Sequence, residues 1–243
     1  MTDILHSDLP ADMRPLRALP GLQPVQGAWL RTDEVYAQQM AHRATLISTR
    51  RDEVIYQEYQ ALGAAQELLQ EALAEADWPR RGDVVTCPDG RQVVLDWQAP
   101  MATLGHLFQC DFALMDRTQD AAEHRLVAAV LCFPASWSLA EKAGRPLTEI
   151  HQPVGSYDTD MARRVQRLFD GVQAGRPMWR CNGLWYAEAE LFQPRSALAP
   201  RQTPSQGAPF YRSERQTIVR LPLSRAVVFV IHTYVLRAAS LSA

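Results

Sequence analysis

The sequence predicts an α+β fold: a mainly antiparallel sheet with inserted helices and an N-terminal helical cap. Three observations carry this. Apolar residues recur at helical spacing over residues 33–76, then give way after Trp78-Pro79 to short β-rich runs. Those runs come as two strands, a helical stretch and three more strands. Of the 243 residues, 47% are hydrophobic and 21% charged, which suits a buried core and excludes compositional disorder.

The elements follow in chain order. Residues 1–30 contain Pro10, Pro15, Pro20 and Pro24, which exclude a continuous helix. That segment reads as an arm lying across the body and ending at Trp29. Thr32 or Asp33 caps a first helix reaching about Arg50, with Val35, Met40, Leu46 and Ile47 apolar. A second helix covers residues 61–76, where Ala65, Leu68, Leu69, Ala72 and Leu73 share one face. Val84-Val85 and residues 93–95 flank the turn Cys87-Pro88-Asp89-Gly90 and predict a hairpin. A short helix spans residues 101–109, and strands cover 112–115 and 126–133. Ser138 caps a short helix over 139–143, which Gly144 stops. Residues 145–157 read as helix-poor. An amphipathic helix spans 160–172, and strands cover 177–185, 216–221 and 226–235, with a surface loop over 194–209. This strand order is that of a PAS-type sheet, which commonly uses one face as a concave pocket. The division is an arm and cap over residues 1–80 and a sheet domain over 81–243, forming one compact unit.

Composition excludes several functions. A net charge of −2 and a pI near 6.3 leave no global basic footprint for nucleic acid or anionic membrane. No apolar run approaches the ~18 residues of a membrane helix. The N-terminal residues lack a basic start followed by an apolar stretch, so the expected location is the cytoplasm. Cys87, Cys110, Cys132 and Cys181 show no zinc spacing and are expected to be reduced and buried. Phosphate-binding glycine loops and a serine-hydrolase elbow are absent. Lys142 is the only lysine, so a Schiff-base mechanism has one candidate.

Candidate site residues are few. His151 lies between Pro146 and Pro153, which restrict the backbone of a side chain that must point one way. It is the leading metal or haem ligand, since a haem pocket needs one axial donor and an apolar slot. His232, on the last strand, shares a face with Val228, Val230 and Tyr234 and is the second axial candidate; His106 is the third. Each of these is also compatible with an ordinary surface or core histidine. Arg180 and Asn182 share one strand face, where an arginine suits a propionate or another polar head; a solvent-facing edge is the alternative. Asp111, Glu188 and Glu190 lie near strand ends and could hold an ammonium, with Trp179, Trp185 and Tyr186 adding cation–π contacts.

Several segments together resemble a known family. Residues 126–138 (LVAAVLCFPASWS), 141–147 (EKAGRPL) and Ile150-His151-Gln152-Pro153-Val154 carry the likeness. So do Gly21-Leu22-Gln23-Pro24 with Trp29-Leu30, the Arg180–Asn182 pair, Glu190-Leu191-Phe192, and Glu214-Arg215-Gln216-Thr217 with Leu221-Pro222. They resemble the haem-dependent oxidative N-demethylase α-subunits, over about residues 20–236. The resemblance implies a PAS-like fold holding one haem b. It implies oxidative demethylation of a secondary methylamine such as dimethylamine, with O₂, giving formaldehyde. Electrons would come from NADPH through partner reductase subunits carrying flavin and iron–sulfur, in a hetero-oligomer. Carried over, His151 is the proximal iron ligand, and Arg180, Asn182, Tyr157 and His232 are cofactor contacts. Glu190 and Asp111 are the carboxylates near the amine. The chain departs from the family pattern at Cys110, at Gly155-Ser156, at Gly183 and at His232. The competing class is a haem or small-ligand sensor without turnover, and a third is an interaction subunit without cofactor.

Overall fold

A computed structural model of the chain describes residues 3–13, 21–117, 121, 123–151, 159–196, 199 and 207–241. The side chains of residues 151 and 159–164 lie outside the described set, as does Tyr157 altogether.

The helical cap follows the sequence pattern closely. α1 (Tyr36–Thr49) buries Met40, Leu46 and Ile47, and α3 (Leu62–Ala76) buries Ala65, Leu68, Leu69 and Ala72. Between them lie the short α2 (Arg51–Val54) and the strand β2 (Ile55–Gln57). Three residues of strand directly after a helical turn give no readable period, so the sequence shows no sign of β2. β3 (Arg80–Arg81), β4 (Val84–Thr86) and β5 (Gln92–Val94) form a small sheet that includes the predicted hairpin. α4 (Pro100–Leu107) packs very close to its neighbours. A Cβ on Gly105 would lie 2.7 Å from Ile47 Cδ1 and 2.8 Å from Val130 Cγ2, so only glycine permits this approach.

The main sheet has seven strands in the order β1-β8-β9-β10-β6-β7-β2. Its strands are β1 (Gln23–Pro24), β6 (Asp111–Asp116), β7 (Arg125–Val130), β8 (Met178–Tyr186), β9 (Phe210–Arg220) and β10 (Val227–Arg237), with β2 at the far edge. Every pairing is antiparallel. The N-terminal arm therefore does lie on the body, donating β1 to the edge of β8. Between β7 and β8 come α5 (Leu139–Lys142), α6 (Leu147–His151) and α7 (Thr159–Gly171). α6 corrects the helix-poor reading: Pro146 precedes the helix, where its missing N–H costs nothing, so it starts the turn.

Alternation separates the two sheet faces. Phe112, Leu114, Val228 and Val230 join the core under the cap helices. Ala113, Met115, Ile218 and Phe229 face α5, α6 and α7. Met13, Trp179, Cys181 and Tyr234 form a third cluster under the N-terminal segment. Among the described residues, no helix is long and apolar enough to cross a membrane.

A buried ion pair ties the cap to the sheet. Arg43 Nη1 lies 2.6 Å from Asp111 Oδ1, with both side chains almost fully covered. Arg43 also donates to the carbonyls of Gly105 and Gln109, at 3.1 and 3.2 Å. Asp111 accepts the backbone N–H groups of Cys132 and Phe133, at 2.7 and 2.8 Å. Asp111→Ala strands a buried guanidinium and two amides. The expected loss is about 3–5 kcal/mol of unfolding free energy, read from the urea midpoint. A loss below about 1 kcal/mol would mean that the pair is dispensable.

Candidate functional site

The cavity face of the sheet carries the site. A cavity of about 260 Å³, open along one side, lies between the sheet and α5–α7. Its floor is Ala113, Met115, Leu126, Ile218, Phe229 and Ile231, and its roof is Leu147, Ile150, Val165, Leu168 and Phe169. Leu147 and Ile150 face it together because they are three residues apart on α6. Arg180, Lys142, Glu214 and Gln216 supply its polar groups. A second cavity of about 200 Å³ adjoins it, lined by Ala135, Leu184, Tyr186, Asn182 and Arg212, and shares Trp137, Glu214 and Gln216 with the first.

The shared polar row comes from β9. Arg212, Glu214 and Gln216 are spaced by two and project to the cavity face, each under 10% exposed. Glu214 is held from three sides. Asn182 Nδ2 donates to its Oε2 at 3.2 Å, Gln216 Nε2 to the same oxygen at 3.1 Å, and Arg212 Nη2 lies 3.6 Å from Oε1. Arg212 spends its two terminal nitrogens on the carbonyls of Leu191 and Phe133, and its buried Nε has no partner. Arg180 Nε donates to Gln216 Oε1 at 2.9 Å. Among the described residues no carboxylate oxygen is in salt-bridge contact with Arg180; partial burial at the cavity mouth lowers its pKa, and the nearby Glu214 charge offsets this in part.

The roof is pinned at several points. Arg220 donates to the Val172 and Phe169 carbonyls at the C-terminal end of α7, where a cation is electrostatically favoured. Glu123 accepts the Thr148 N–H and hydroxyl at 3.0 and 3.1 Å, fixing the start of α6. Lys142 Nζ donates to the Ile150 carbonyl at 2.8 Å.

The sequence-selected residues divide accordingly. Arg180 and Asn182 are in the site. His151 is the last residue of α6, next in sequence to the cavity-lining Ile150. Its ring, like Tyr157, lies outside the described residues. His232 projects to the cap face instead, so it does not line the cavity; strand alternation puts Phe229 and Ile231 there. His106 lies on α4, in the cap layer. Asp111 is committed to Arg43 and two amides, away from both cavities. Glu190 accepts the Leu191 and Phe192 N–H groups on one oxygen, 3.3 Å from His42 Nε2, and lines neither cavity. Glu188 lines neither cavity either. Sequence reasoning missed Glu214 and Arg212 because their strand was placed too late. The R-x-E-x-Q alternation was the available signal.

Two of the departures meet on the cap face: Cys110 Sγ lies 3.4 Å from His232 Nδ1. Burial pushes the Cys110 thiol up to about 12, which keeps it a thiol. Gly183 also faces away from the cavity, where a Cβ would collide with the Tyr211 hydroxyl. His232 Nε2 is 2.7 Å from Asp33 Oδ2, and His6 Nε2 is 3.1 Å from the same oxygen. These three residues have a ligand-like arrangement. However, the Val235 N–H donates to His6 Nδ1, which places the proton of neutral His6 on Nε2, where a metal would have to bind. The cluster is instead a satisfied network locking the arm onto β10.

Asp33 is the acceptor of that network. Burial alone would raise its pKa, but the hydrogen bonds and charges of His232 and His6 outweigh it and hold the carboxyl far below the usual range. A depressed folded-state pKa stabilises the protein above the unfolded value and is lost as pH falls. The stability advantage of the wild type over Asp33→Asn is therefore expected to be fully present above about pH 5. It should narrow progressively below about pH 5 in urea titrations. A difference constant from pH 7 to 3 would contradict the assignment.

Comparison with known proteins places the chain in a family. Residues 21–243 match the family model described as haem-dependent oxidative N-demethylase, alpha subunit-like. The chain belongs to that family.

Proposed function

We propose that this family member holds one haem b in the larger cavity and oxidises a small secondary methylamine held in the smaller one. The observation that carries the proposal is the junction. An apolar slot beside the His151-bearing helix shares Glu214, Gln216 and Trp137 with a polar chamber built around a buried carboxylate.

The residues fit the cofactor. The larger cavity is just under the ~300–1,000 Å³ range of enclosed ligand sites. Its open side means that a flat macrocycle need not be wholly enclosed. Apolar side chains of the sheet and of α6–α7 would cover its faces. Arg180, whose Nε donates to Gln216 at the cavity mouth, would pair with a propionate. His151 would be the proximal ligand, consistent with its place at the end of a helix pinned by Glu123 and Lys142. When bound, the haem supplies the one-electron and O₂ chemistry that no side chain provides.

The protein's own part is recognition and orientation. Glu214 accepts an N–H of the secondary ammonium; Asn182 and Gln216 fix the carboxylate and leave Oε1 toward Arg212 and the chamber. Trp137, Ala135 and Leu184 enclose the N-methyl groups, and the Trp137 face adds cation–π attraction. Tyr186 and Leu184 limit length, favouring small aliphatic amines. Glu214 takes the role first assigned to Glu190 and Asp111, since neither of those lines the larger or the smaller cavity. Electrons would come from a reductase partner, as the subunit name of the family suggests.

His151→Ala is expected to abolish or shift the Soret band of the purified chain. Glu214→Gln is expected to retain the band, to raise the dimethylamine KM at least about tenfold and to reduce formaldehyde release. A haem spectrum with no amine-dependent formaldehyde, given a competent reductant, would replace the enzyme reading with that of a sensor. A chain that cannot be loaded with haem would end both.

A further inference from the structure

Gln166 lies midway along α7, between the cavity-lining Val165 and Leu168. Its side chain ties this roof helix to His124, the residue just before β7. Gln166 Oε1 accepts the His124 backbone N–H at 3.3 Å, and Nε2 lies 3.0 Å from His124 Nδ1. The same Nε2 donates to Asp170 Oδ1 at 3.0 Å. Two of these partners fix which way the amide points. A backbone N–H needs the oxygen, and a carboxylate needs the nitrogen. Nε2 is therefore the atom that meets the ring, so Nδ1 offers a lone pair and the proton of the neutral imidazole sits on its own Nε2. His124 is buried against Phe169, with ring centres 5.6 Å apart. Its carbonyl accepts the Leu147 N–H at 3.0 Å, so this residue touches both α6 and α7.

We propose that the Gln166–His124 contact is an acid-released catch on the roof: protonation of His124 Nδ1 frees α7 from the start of β7 and opens the larger cavity. A proton on Nδ1 sets donor against donor. Turning the amide would give the charged ring an oxygen, but would also set Nε2 against the His124 N–H and Oε1 against the Asp170 carboxylate. Either orientation loses at least one bond, so the contact is complete only around a neutral ring. Burial lowers the His124 pKa from the usual histidine value. Among the described residues, the charges of Arg117, just beyond β6, and Arg220 on β9 push the same way, and Asp170 on α7 opposes them. Arg117 and Asp170 also pair with each other at 3.1 Å. Glu123 and Arg125, the sequence neighbours of His124, are taken by Thr148 and Glu58. A folded-state pKa held below the unfolded one gives stability that is fully present above about pH 6.5 and lost as pH falls. Arg220 does not titrate there and keeps its grip on the Phe169 and Val172 carbonyls, so the C-terminal end of α7 stays attached. The catch acts on the cavity whatever occupies it; that acid loosens the hold on haem rests on the proposed function.

The test follows backbone amide exchange at residues 165–171 in the full chain as purified, corrected for the intrinsic pH dependence of exchange, with α3 as the internal reference. Protection of α7 relative to α3 is expected to fall at least about fivefold from pH 7.5 to 5.5. That range stays above the one in which Asp33 responds. Gln166→Glu reverses the sign, because a carboxylate accepts both the backbone N–H and the protonated ring; its α7 is expected to gain protection on the same acidification. His124→Phe removes the response. Unchanged protection of wild-type α7, a loss of equal size in Gln166→Glu, or a response that persists in His124→Phe overturns the proposal. A chain that shows the wild-type and Gln166→Glu responses but cannot be loaded with haem keeps the catch and discards the haem reading. A haem-binding chain without any response in α7 does the reverse.

Discussion

Strand β9 is covered along all eleven of its residues, yet it is far from apolar. That single constraint organises the molecule. A strand buried on both faces must find a partner for every charge it carries, because an unpaired buried charge is costly. On the opposite face Arg215 meets Asp12 at 3.0 Å and stacks over Trp179 at 3.7 Å, although its Nε has no partner among the described residues. On the cavity face Arg212, Glu214 and Gln216 satisfy one another and Asn182 only in part, leaving Arg212 Nε unpartnered. A fold that buried these groups for stability alone would be better served by aliphatic side chains. Their presence beside a cavity is the physical argument for a ligand.

The remaining layers hold that row in place. The Arg43–Asp111 pair sets the start of β6 against the cap, and β6 is the floor of the larger cavity. The His6–Asp33–His232 network fastens the arm to β10 from behind. Arg220, Glu123 and Lys142 hold the ends of the roof helices. Charge is therefore used inside this protein chiefly to position backbone, with arginine donors meeting carbonyl groups in the planar geometry that lysine lacks.

Much of the fold was legible from the residues. α1, α3 and α7 follow their apolar periodicity, and the β4–β5 hairpin follows its Pro-Asp-Gly turn. What escaped had a local reason. β2 is three residues long and borrows its stability from β7, so its pattern is tertiary in origin. β9 begins six residues before the predicted start, because Arg212, Ser213, Glu214 and Arg215 read as loop when an apolar alternation is sought. The same rule of two that selected Arg180 and Asn182 on β8 would have selected Arg212, Glu214 and Gln216 on β9. Asp111 and Glu190 were chosen for nearness to strand ends, which says nothing about whether a carboxylate is already satisfied. His232 shares its β10 face with Val228 and Val230, as alternation predicts; which face held the cavity was not readable from one strand.

The central claim is that the space beneath α5–α7 is a haem slot. Titrating haem into the haem-free chain while following tryptophan fluorescence tests it directly, since Trp137 forms one wall. The account predicts quenching that saturates at one haem per chain and is much reduced in Trp137→Phe. Quenching without saturation, or identical in the variant, would place haem elsewhere on the protein and contradict it.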